Sequence, residues 1–252
     1  MTRVIMHGCN GRMGKMICSL AADTDGFEIV AGVDAFGDTC DGAIPFFNSI
    51  DACDIEADAL IDFSNAKAAD AVMDYCLNKK LPLVFCTTGL DDAQLAKLAD
   101  TAKSIPVLRS ANMSVGVNVV LDILKEVAPK LYAAGFDIDI VEKHHRMKLD
   151  APSGTAVAMA DEIRNALDEN VDTVYDRSGR REVRPHAEIG VSAVRGGTIV
   201  GDHDVIFAGT DEVVTISHRA YSRAVFAKGA LTAAAFLAGK TAGMYSMRDA
   251  LA

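Results

Sequence analysis

The sequence HGCNGRMGKMI, residues 7–17, follows a short apolar run and places Gly8, Gly11 and Gly14 three positions apart. Glycines at a strand-to-helix turn let the backbone bend sharply and approach a pyrophosphate, which can then bind the free amide groups of the helix N-terminus. Asp34 ends the next apolar run, EIVAGVD, where an acid that binds a ribose is expected. The pattern predicts a dinucleotide site, and an ordinary strand-to-helix turn is the alternative.

Short apolar runs alternate with longer amphipathic segments through the first half of the chain. This alternation predicts a Rossmann-like α/β domain with a doubly wound parallel sheet. After about residue 132, runs of period-two character with glycine turns predict a second, α+β domain with a mixed sheet. The tail contains SRAVFAKGALTAAAFLAG, an Ala-rich helix that is too apolar to stay exposed and is expected to pack onto one of the two domains.

Composition restricts the partners and the location. The 252 residues carry a formal net charge of −10, which argues against a nucleic-acid or anionic-membrane surface. No segment resembles a signal peptide or a membrane span. The cysteines lack zinc-site spacing, so we expect reduced thiols, no metal and a cytoplasmic location. They are Cys9, Cys18, Cys40, Cys53, Cys76 and Cys86.

Two further turns and Asp34 bear on the cofactor. The turns CTTGL and SANMS follow predicted strands, where their hydroxyl and amide groups can hold a nicotinamide and its ribose. Helix caps by Thr88 or Asn112 explain them equally well. The charge of Asp34 would repel a 2′-phosphate, and Ala35 and Phe36 supply no cation, so NADH is the expected cofactor in preference to NADPH. Arg12 is the one cation of the glycine turn that can reach a phosphate.

The segment HHRMKLDAPSGT, residues 144–155, concentrates positive charge in an acidic chain. We call residues 143–148 the cationic segment. A lone histidine or lysine is usually structural or solvated, but a run of five such groups within six residues, beside a Pro-Ser-Gly turn, favours an anion site. Helix N-terminal amides at residues 153–155 suit one carboxylate, and Lys148 with a neighbouring imidazole suits a second carboxylate and a proton donor. The segment predicts a small, doubly anionic substrate.

At these residues the sequence closely resembles the 4-hydroxy-tetrahydrodipicolinate (dihydrodipicolinate) reductase family. The matching stretches are GCNGRMG, CTTG, SANMSVGVN, EKHHRMKLDAPSGTA, VRGGTIVGDHDVIF and SHRAYSRAVFAKGAL, and they cover essentially the whole chain. The resemblance implies a dinucleotide-binding domain at 1–113, rejoined by a C-terminal helix within 222–252. It also implies a substrate-binding and tetramerisation domain at 114–221.

The resemblance further implies reduction of 4-hydroxy-tetrahydrodipicolinate with NADH or NADPH, in diaminopimelate and lysine biosynthesis, by a homotetramer. It assigns proton donation to His144 and Lys148, and substrate binding to His145, Ser153, Gly154 and Thr155. The cofactor positions are Gly8, Cys9, Asn10, Gly11, Arg12, Met13, Asp34, Cys86, Thr87, Thr88, Ser110, Ala111, Asn112 and Met113.

Two other functions fit the same two-domain plan. One is a dehydrogenase of another small dicarboxylate or semialdehyde. The other is a redox sensor that binds a dinucleotide without turning it over. A sensor needs no second anion pocket, so the cationic segment disfavours it.

Overall fold

The structure, a computed structural model, describes residues 1–37, 44–110 and 112–252. The chain divides into two units, which we describe separately. The first contains Met1–Val115 and Arg223–Ala252, and the second contains Gly116–Ser222. Two residues singled out in the sequence, Cys40 and Ala111, lie outside the described residues.

Seven strands of the first unit form one parallel sheet, which confirms the prediction of a doubly wound α/β fold. They are β1 (Thr2–His7), β2 (Phe27–Val33), β3 (Phe46–Phe47), β4 (Ala59–Asp62), β5 (Leu83–Phe85), β6 (Pro106–Arg109) and β12 (Gly243–Tyr245). Their order is β12-β6-β5-β4-β1-β2-β3, so the winding reverses between β1 and β4. Ligands of such sheets bind at the carboxyl ends of the strands beside that reversal.

Helices of the first unit follow the strands along the chain. They are α1 (Arg12–Ala22), α2 (Ala69–Lys79), α3 (Asp92–Ala102), α6 (Ala224–Leu237) and α7 (Met247–Leu251). Asp91 caps α3 by accepting a hydrogen bond from Gln94, so Thr88 is not its cap. The turn after β5 therefore keeps its hydroxyl side chains for another role.

The Ala-rich tail helix α6 belongs to the core of the first unit. Leu231 and Leu237 are buried there with four alanines of the same helix, and each fully buried leucine contributes about 2 kcal/mol. A Cβ at Gly229 would lie 1.7 Å from the carbonyl oxygen of Met113. Glycine at this position lets the helix approach the backbone more closely than any other residue would allow.

The second unit has the predicted mixed sheet. Its strands are β7 (Asp137–His144), β8 (Asp172–Val174), β9 (Glu188–Arg195), β10 (Gly201–Ala208) and β11 (Val213–Ala220), in the order β11-β10-β7-β9-β8. β10 runs antiparallel to β7 and β11, whereas β7, β9 and β8 run parallel. The helices are α4 (Val115–Ala133) and α5 (Gly154–Ala166).

Strand β7 alternates between a buried face and a partly exposed one. Ile138 and Ile140 lie on the buried face and pack with Met159 of α5 in the core of the second unit. Glu142 and His144 continue this face, because side chains two positions apart point the same way. An apolar strand face therefore ends in two polar residues.

Three local expectations are refined by the structure. β7 ends at His144, so His145 lies in the following loop and does not end the strand. Ser153, not Thr155, caps α5, and β10 begins only at Gly201. Among the described residues, no helix is both long and apolar enough to cross a bilayer.

Candidate active site

The turn between β1 and α1 has a backbone that requires glycine. Gly8 has a φ of +82°, and a Cβ there would lie 2.5 Å from the carbonyl oxygen of Phe63. A Cβ at Gly14 would lie 2.1 Å from the carbonyl oxygen of Gly8. Gly11 precedes the helix, and no side chain of the described residues caps the first turn of α1. This geometry presents helix N-terminal amides to an anion.

Asp34 follows β2 and is held beside this turn. Its carboxylate accepts hydrogen bonds from the backbone amides of Asn10 and Phe36, both at 3.0 Å. A pocket of about 220 Å³ is lined by Asp34, Phe36 and Phe63 together with the glycine turn. The cradle at Gly8 and the fixed carboxylate are the features that a dinucleotide requires, so these residues fit that cofactor.

The turns after β5 and β6 line a second pocket of the first unit, of about 510 Å³. Cys86, Thr87, Thr88 and Ser110 all contribute to it. The Oγ1 of Thr87 accepts a hydrogen bond from the amide of Ser64 at 3.1 Å, which ties the β5 turn to the one after β4. Burial raises the pKa of the Cys86 thiol well above its ordinary value, so this thiol is protonated at neutral pH.

The remaining cofactor-side residues divide into surface and core. Asn10 donates from its side chain to the carbonyl of Phe36 at 2.8 Å, and Arg12 is exposed. Cys9 and Met113 are buried in the core of the first unit, and Met13 packs against that core. Side chains in the core can support the turn but do not line its surface. Asn112 accepts a hydrogen bond from the Ser114 amide at 2.8 Å, and Ala111 lies outside the described residues.

Glu142 is the centre of a buried polar cluster in the second unit. Its side chain is fully buried, and Arg195 of β9 binds both of its oxygens, at 2.6 and 2.8 Å. The Ser153 amide donates to one oxygen at 3.0 Å, and His144 Nδ1 lies 2.6 Å from the other. One carboxylate thus joins β7, β9, the start of α5 and an imidazole.

Electrostatics keep Glu142 ionised. Burial alone would raise the pKa of Glu142, but hydrogen bonds from Arg195, His144 and Ser153 outweigh burial and hold the pKa below its ordinary value. Burial lowers the pKa of His144, the Glu142 carboxylate opposes that shift, and the charges of Lys148 and Arg195 add to it. His144 is therefore a buried imidazole that loses its proton readily.

The N-terminus of α5 lies beside this cluster. Ser153 caps the helix, since its Oγ accepts a hydrogen bond from the Ala156 amide at 3.2 Å, and the same Oγ lies 3.0 Å from His203 Nε2. Burial, with the charge of His144, lowers the pKa of His203 to about 4. Gly154 is exposed and Thr155 is buried in the first turn of the helix. The amides at this N-terminus suit a carboxylate.

Lys148 lies in the loop between β7 and α5. Its amide donates to the carbonyl of His145 at 3.1 Å, which forms a tight turn, and its Nζ pairs with Asp150 at 2.9 Å. The Asp150 carbonyl accepts a hydrogen bond from Arg195 at 2.7 Å, so the loop is also anchored to β9. The side chain of Lys148 is only partly exposed, as a residue at the wall of a pocket would be.

The cationic segment does not act as one unit. Lys143 lies on the opposite face of β7 from His144 and pairs with Asp204 at 2.9 Å, while Arg146 is exposed. The structure brings together His144, His203 and the N-terminus of α5, with Lys148 and His145 in the adjoining loop.

Three residues of the cluster are absent from the sequence-based candidates: Glu142, Arg195 and His203. Glu142 could have been found, because it is a charged residue in step with Ile138 and Ile140 on a core-facing strand, and such a charge needs a partner. Its partner Arg195 is 53 positions away. No local pattern identifies that pair.

Solved structures with the same fold include two that differ in closeness. A dipicolinate-bound dihydrodipicolinate reductase from Paenisporosarcina sp. TG-14 aligns over 100% of both chains, with a TM-score of 0.79 at 23% identity. A probable dehydrogenase from Thermotoga maritima covers 98% of this chain and 92% of its own, with a TM-score of 0.65 at 12% identity. These likenesses support the fold.

Sequence relatives are closer. A 4-hydroxy-tetrahydrodipicolinate reductase from Clostridium tetani is 48% identical over 98% of this chain and 96% of its own length. One from Caldanaerobacter subterraneus is 50% identical over 99% and 98%. Family models described as the N-terminus and the C-terminus of dihydrodipicolinate reductase match residues 2–113 and 116–251. The chain belongs to the dihydrodipicolinate reductase family.

Proposed function

We propose that the chain reduces 4-hydroxy-tetrahydrodipicolinate to tetrahydrodipicolinate, with release of water and oxidation of one NAD(P)H. The step belongs to diaminopimelate and lysine biosynthesis. The observation that carries the proposal is the placement of His144, a buried imidazole fixed by Glu142, beside the N-terminus of α5. A proton donor and a carboxylate site thus lie next to each other in a chain of this family.

Residues of the second unit would bind a dicarboxylate at two places. One carboxylate accepts hydrogen bonds from the amides at the start of α5, with Ser153, Gly154 and Thr155 around it. Lys148 and His145 face the other. Lys148 can leave Asp150 for this purpose, because an ion pair with an exposed carboxylate is worth at most about 1 kcal/mol.

Proton supply falls to His144, with Lys148 as the second donor. Bound NAD(P)H supplies the hydride, and this chemistry belongs to the cofactor. His144 Nδ1 is held by Glu142, so Nε2 is the nitrogen that can give a proton to the substrate. After donation the ring is neutral, which its buried surroundings favour.

For the cofactor we propose NADH in preference to NADPH. Asp34 is fixed by two amides next to the glycine turn, where its charge would repel a 2′-phosphate. The carboxylate is also placed to accept hydrogen bonds from ribose hydroxyls.

The decisive experiment is the loss of NADH absorbance when the protein meets the fresh condensation product of pyruvate and aspartate semialdehyde. We expect rapid oxidation, and a loss of more than about 100-fold in kcat/KM for Lys148→Ala, as for loss of a general acid that also binds substrate. Lys143→Ala is the matched control. It removes a nearby cation that pairs with Asp204 on the other strand face and should leave kcat/KM within a few-fold of the parent.

Either failure would redirect the proposal. No oxidation with NADH or NADPH, despite measurable dinucleotide binding, would favour another dicarboxylate or a redox sensor. Equal losses in the two lysine variants would remove the special role of Lys148.

We further propose a homotetramer assembled through the second unit, and a cytoplasmic location. β11 is the last strand in its sheet order and exposes Val213 and Val214, which supports pairing with another copy of the chain. None of the five cysteines in the described part of the chain forms a disulfide, in keeping with a reducing compartment.

A further inference from the structure

We propose that Glu142 is the positioning residue of the proton donor, holding His144 by Nδ1 so that Nε2 is presented to the substrate, with Arg195 balancing its charge. The inference rests on the proposed function of His144 as donor. Glu142 itself contacts no substrate in this scheme and acts through the imidazole.

The hydrogen bonds around Glu142 leave it little freedom. The carboxylate is fully buried and is held by Arg195 at two contacts and by the Ser153 amide at a third, so its position is set by β9 and α5 as well as by β7. His144 Nδ1 is 2.6 Å from Oε2. An ionised carboxylate only accepts, so Nδ1 must carry a hydrogen to make this contact.

The tautomer follows from that requirement. Neutral His144 has its hydrogen on Nδ1 and a lone pair on Nε2, and the protonated ring has a transferable proton on Nε2. Gly201 leaves space beside this nitrogen, because a Cβ there would lie 3.0 Å from Nε2. One ring nitrogen is therefore committed to the protein and the other is kept clear of side-chain bulk from β10.

Charges from every neighbouring element act on the ring. Glu142 raises the affinity of His144 for its proton, whereas Arg195 of β9, Lys148 of the loop and His203 of β10 carry or can acquire positive charge beside it. The Glu142–Arg195 pair is neutral as a whole. Replacing Glu142 by glutamine would leave Arg195 uncompensated and withdraw the carboxylate, and both changes lower the proton affinity of His144.

The first test needs no variant. Nitrogen chemical shifts of the His144 ring in the full-length protein without ligands report its neutral tautomer, and we expect the Nδ1–H form. An Nε2–H form would overturn the inference even if the enzyme turns over as proposed. Conversely, an enzyme inactive with the proposed substrate but carrying the Nδ1–H form would contradict the proposed function and leave the geometry of His144 established.

The second test uses Glu142→Gln. We expect kcat to fall by at least about tenfold, as for residues that orient a functional group, and KM to change less. A donor must be protonated, so kcat/KM falls as pH rises through the pKa of His144, and this fall should move to lower pH in the variant. Glu142→Asp keeps the charge and should restore part of kcat and of the pH profile.

Glu188→Gln is the matched control for a buried ion pair. Glu188 is also almost fully buried on β9 and pairs with Arg177 and Arg180, away from His144. A purely structural role would make the two glutamine variants lose stability and activity alike, with no shift of either pH profile. If Glu142→Gln fails to fold, Glu142→Gln with Arg195→Gln removes both charges, and an unchanged pH profile there would refute the inference.

Discussion

Gly201, the first residue of β10, lies next to the ring nitrogen from which we propose that the proton leaves. Gly201→Ala would place a methyl group 3.0 Å from Nε2 of His144, whose ring cannot retreat because Glu142 holds its other nitrogen. We expect kcat/KM to fall about tenfold without loss of thermal stability. Alanine in a strand reduces the freedom of the unfolded chain, which adds about 0.4–1 kcal/mol where the backbone permits it.

Gly179→Ala is the control for this prediction, since a Cβ at Gly179 would meet nothing within 4 Å. Steady-state kinetics and thermal unfolding of both variants separate the two effects. Gly201→Ala with parental kcat/KM would show that the space beside Nε2 is not used.

His203 makes a separate prediction about stability. Its pKa is lowered from 6.5 to about 4, chiefly by burial, so the unfolded chain binds more protons than the folded chain between these pH values. Stability therefore falls as pH drops through this window, by about 3 kcal/mol at most for a shift of this size. We expect His203→Gln to lose less stability than the parent between pH 7 and pH 5.

Urea unfolding midpoints at the two pH values check this expectation. Neighbouring groups contribute to the parental slope, so the difference between parent and variant is the quantity of interest. Identical slopes would mean that His203 is not buried in its neutral form.

At the scale of elements, β7 shows what sequence can and cannot provide. The alternation DIDIVEKH predicts a strand with one buried face, and the same alternation places Glu142 and His144 on it. The partner strands are set by pairing, in which His144 lies opposite Arg195 of β9. A contact between residues 53 positions apart has no local signature, so the ion pair that holds the site together could not be predicted.

The short strands were missed for a different reason. β3, β8 and β12 have only two or three residues, too few to show an alternation. They are added at sheet edges, where the neighbouring strand supplies the pairing. By contrast, the glycine turn and the acid after β2 were predictable, because each requires a particular residue at a fixed place.

The end of β2 carries the prediction on cofactor choice. Asp34→Asn keeps an acceptor for the Asn10 and Phe36 amides but removes the charge that would oppose a 2′-phosphate. Removing a like charge at close range is worth about 1 kcal/mol in water. We expect the ratio of NADPH to NADH dissociation constants, measured by fluorescence titration, to fall about fivefold.

Asp54→Asn, at an exposed position away from this turn, should leave the ratio unchanged. In the parent protein, a tenfold advantage for NADPH in kcat/KM would contradict the proposed preference. Arg12, which is exposed in the glycine turn, would then be the residue to replace next.

At the scale of the whole molecule, the two units divide the proposed work. The first unit holds the glycine turn and Asp34, and the second holds His144, Lys148 and the α5 N-terminus. Each unit has its own core, so the residues of each site are positioned by packing within one unit.

The proposed assembly depends on the last strand of the second sheet. β11 presents eight residues with an unusually exposed pattern, and Val213 is 61% exposed. A strand of this length with exposed β-branched residues is a template for pairing with another copy unless charges or proline block it. Light scattering should therefore report a mass about four times the 26.7 kDa of one chain, and Val213→Asp should lower it. Val183→Asp replaces a valine that is 94% exposed outside any strand and should leave the mass unchanged; a parental species of 26.7 kDa would refute the tetramer.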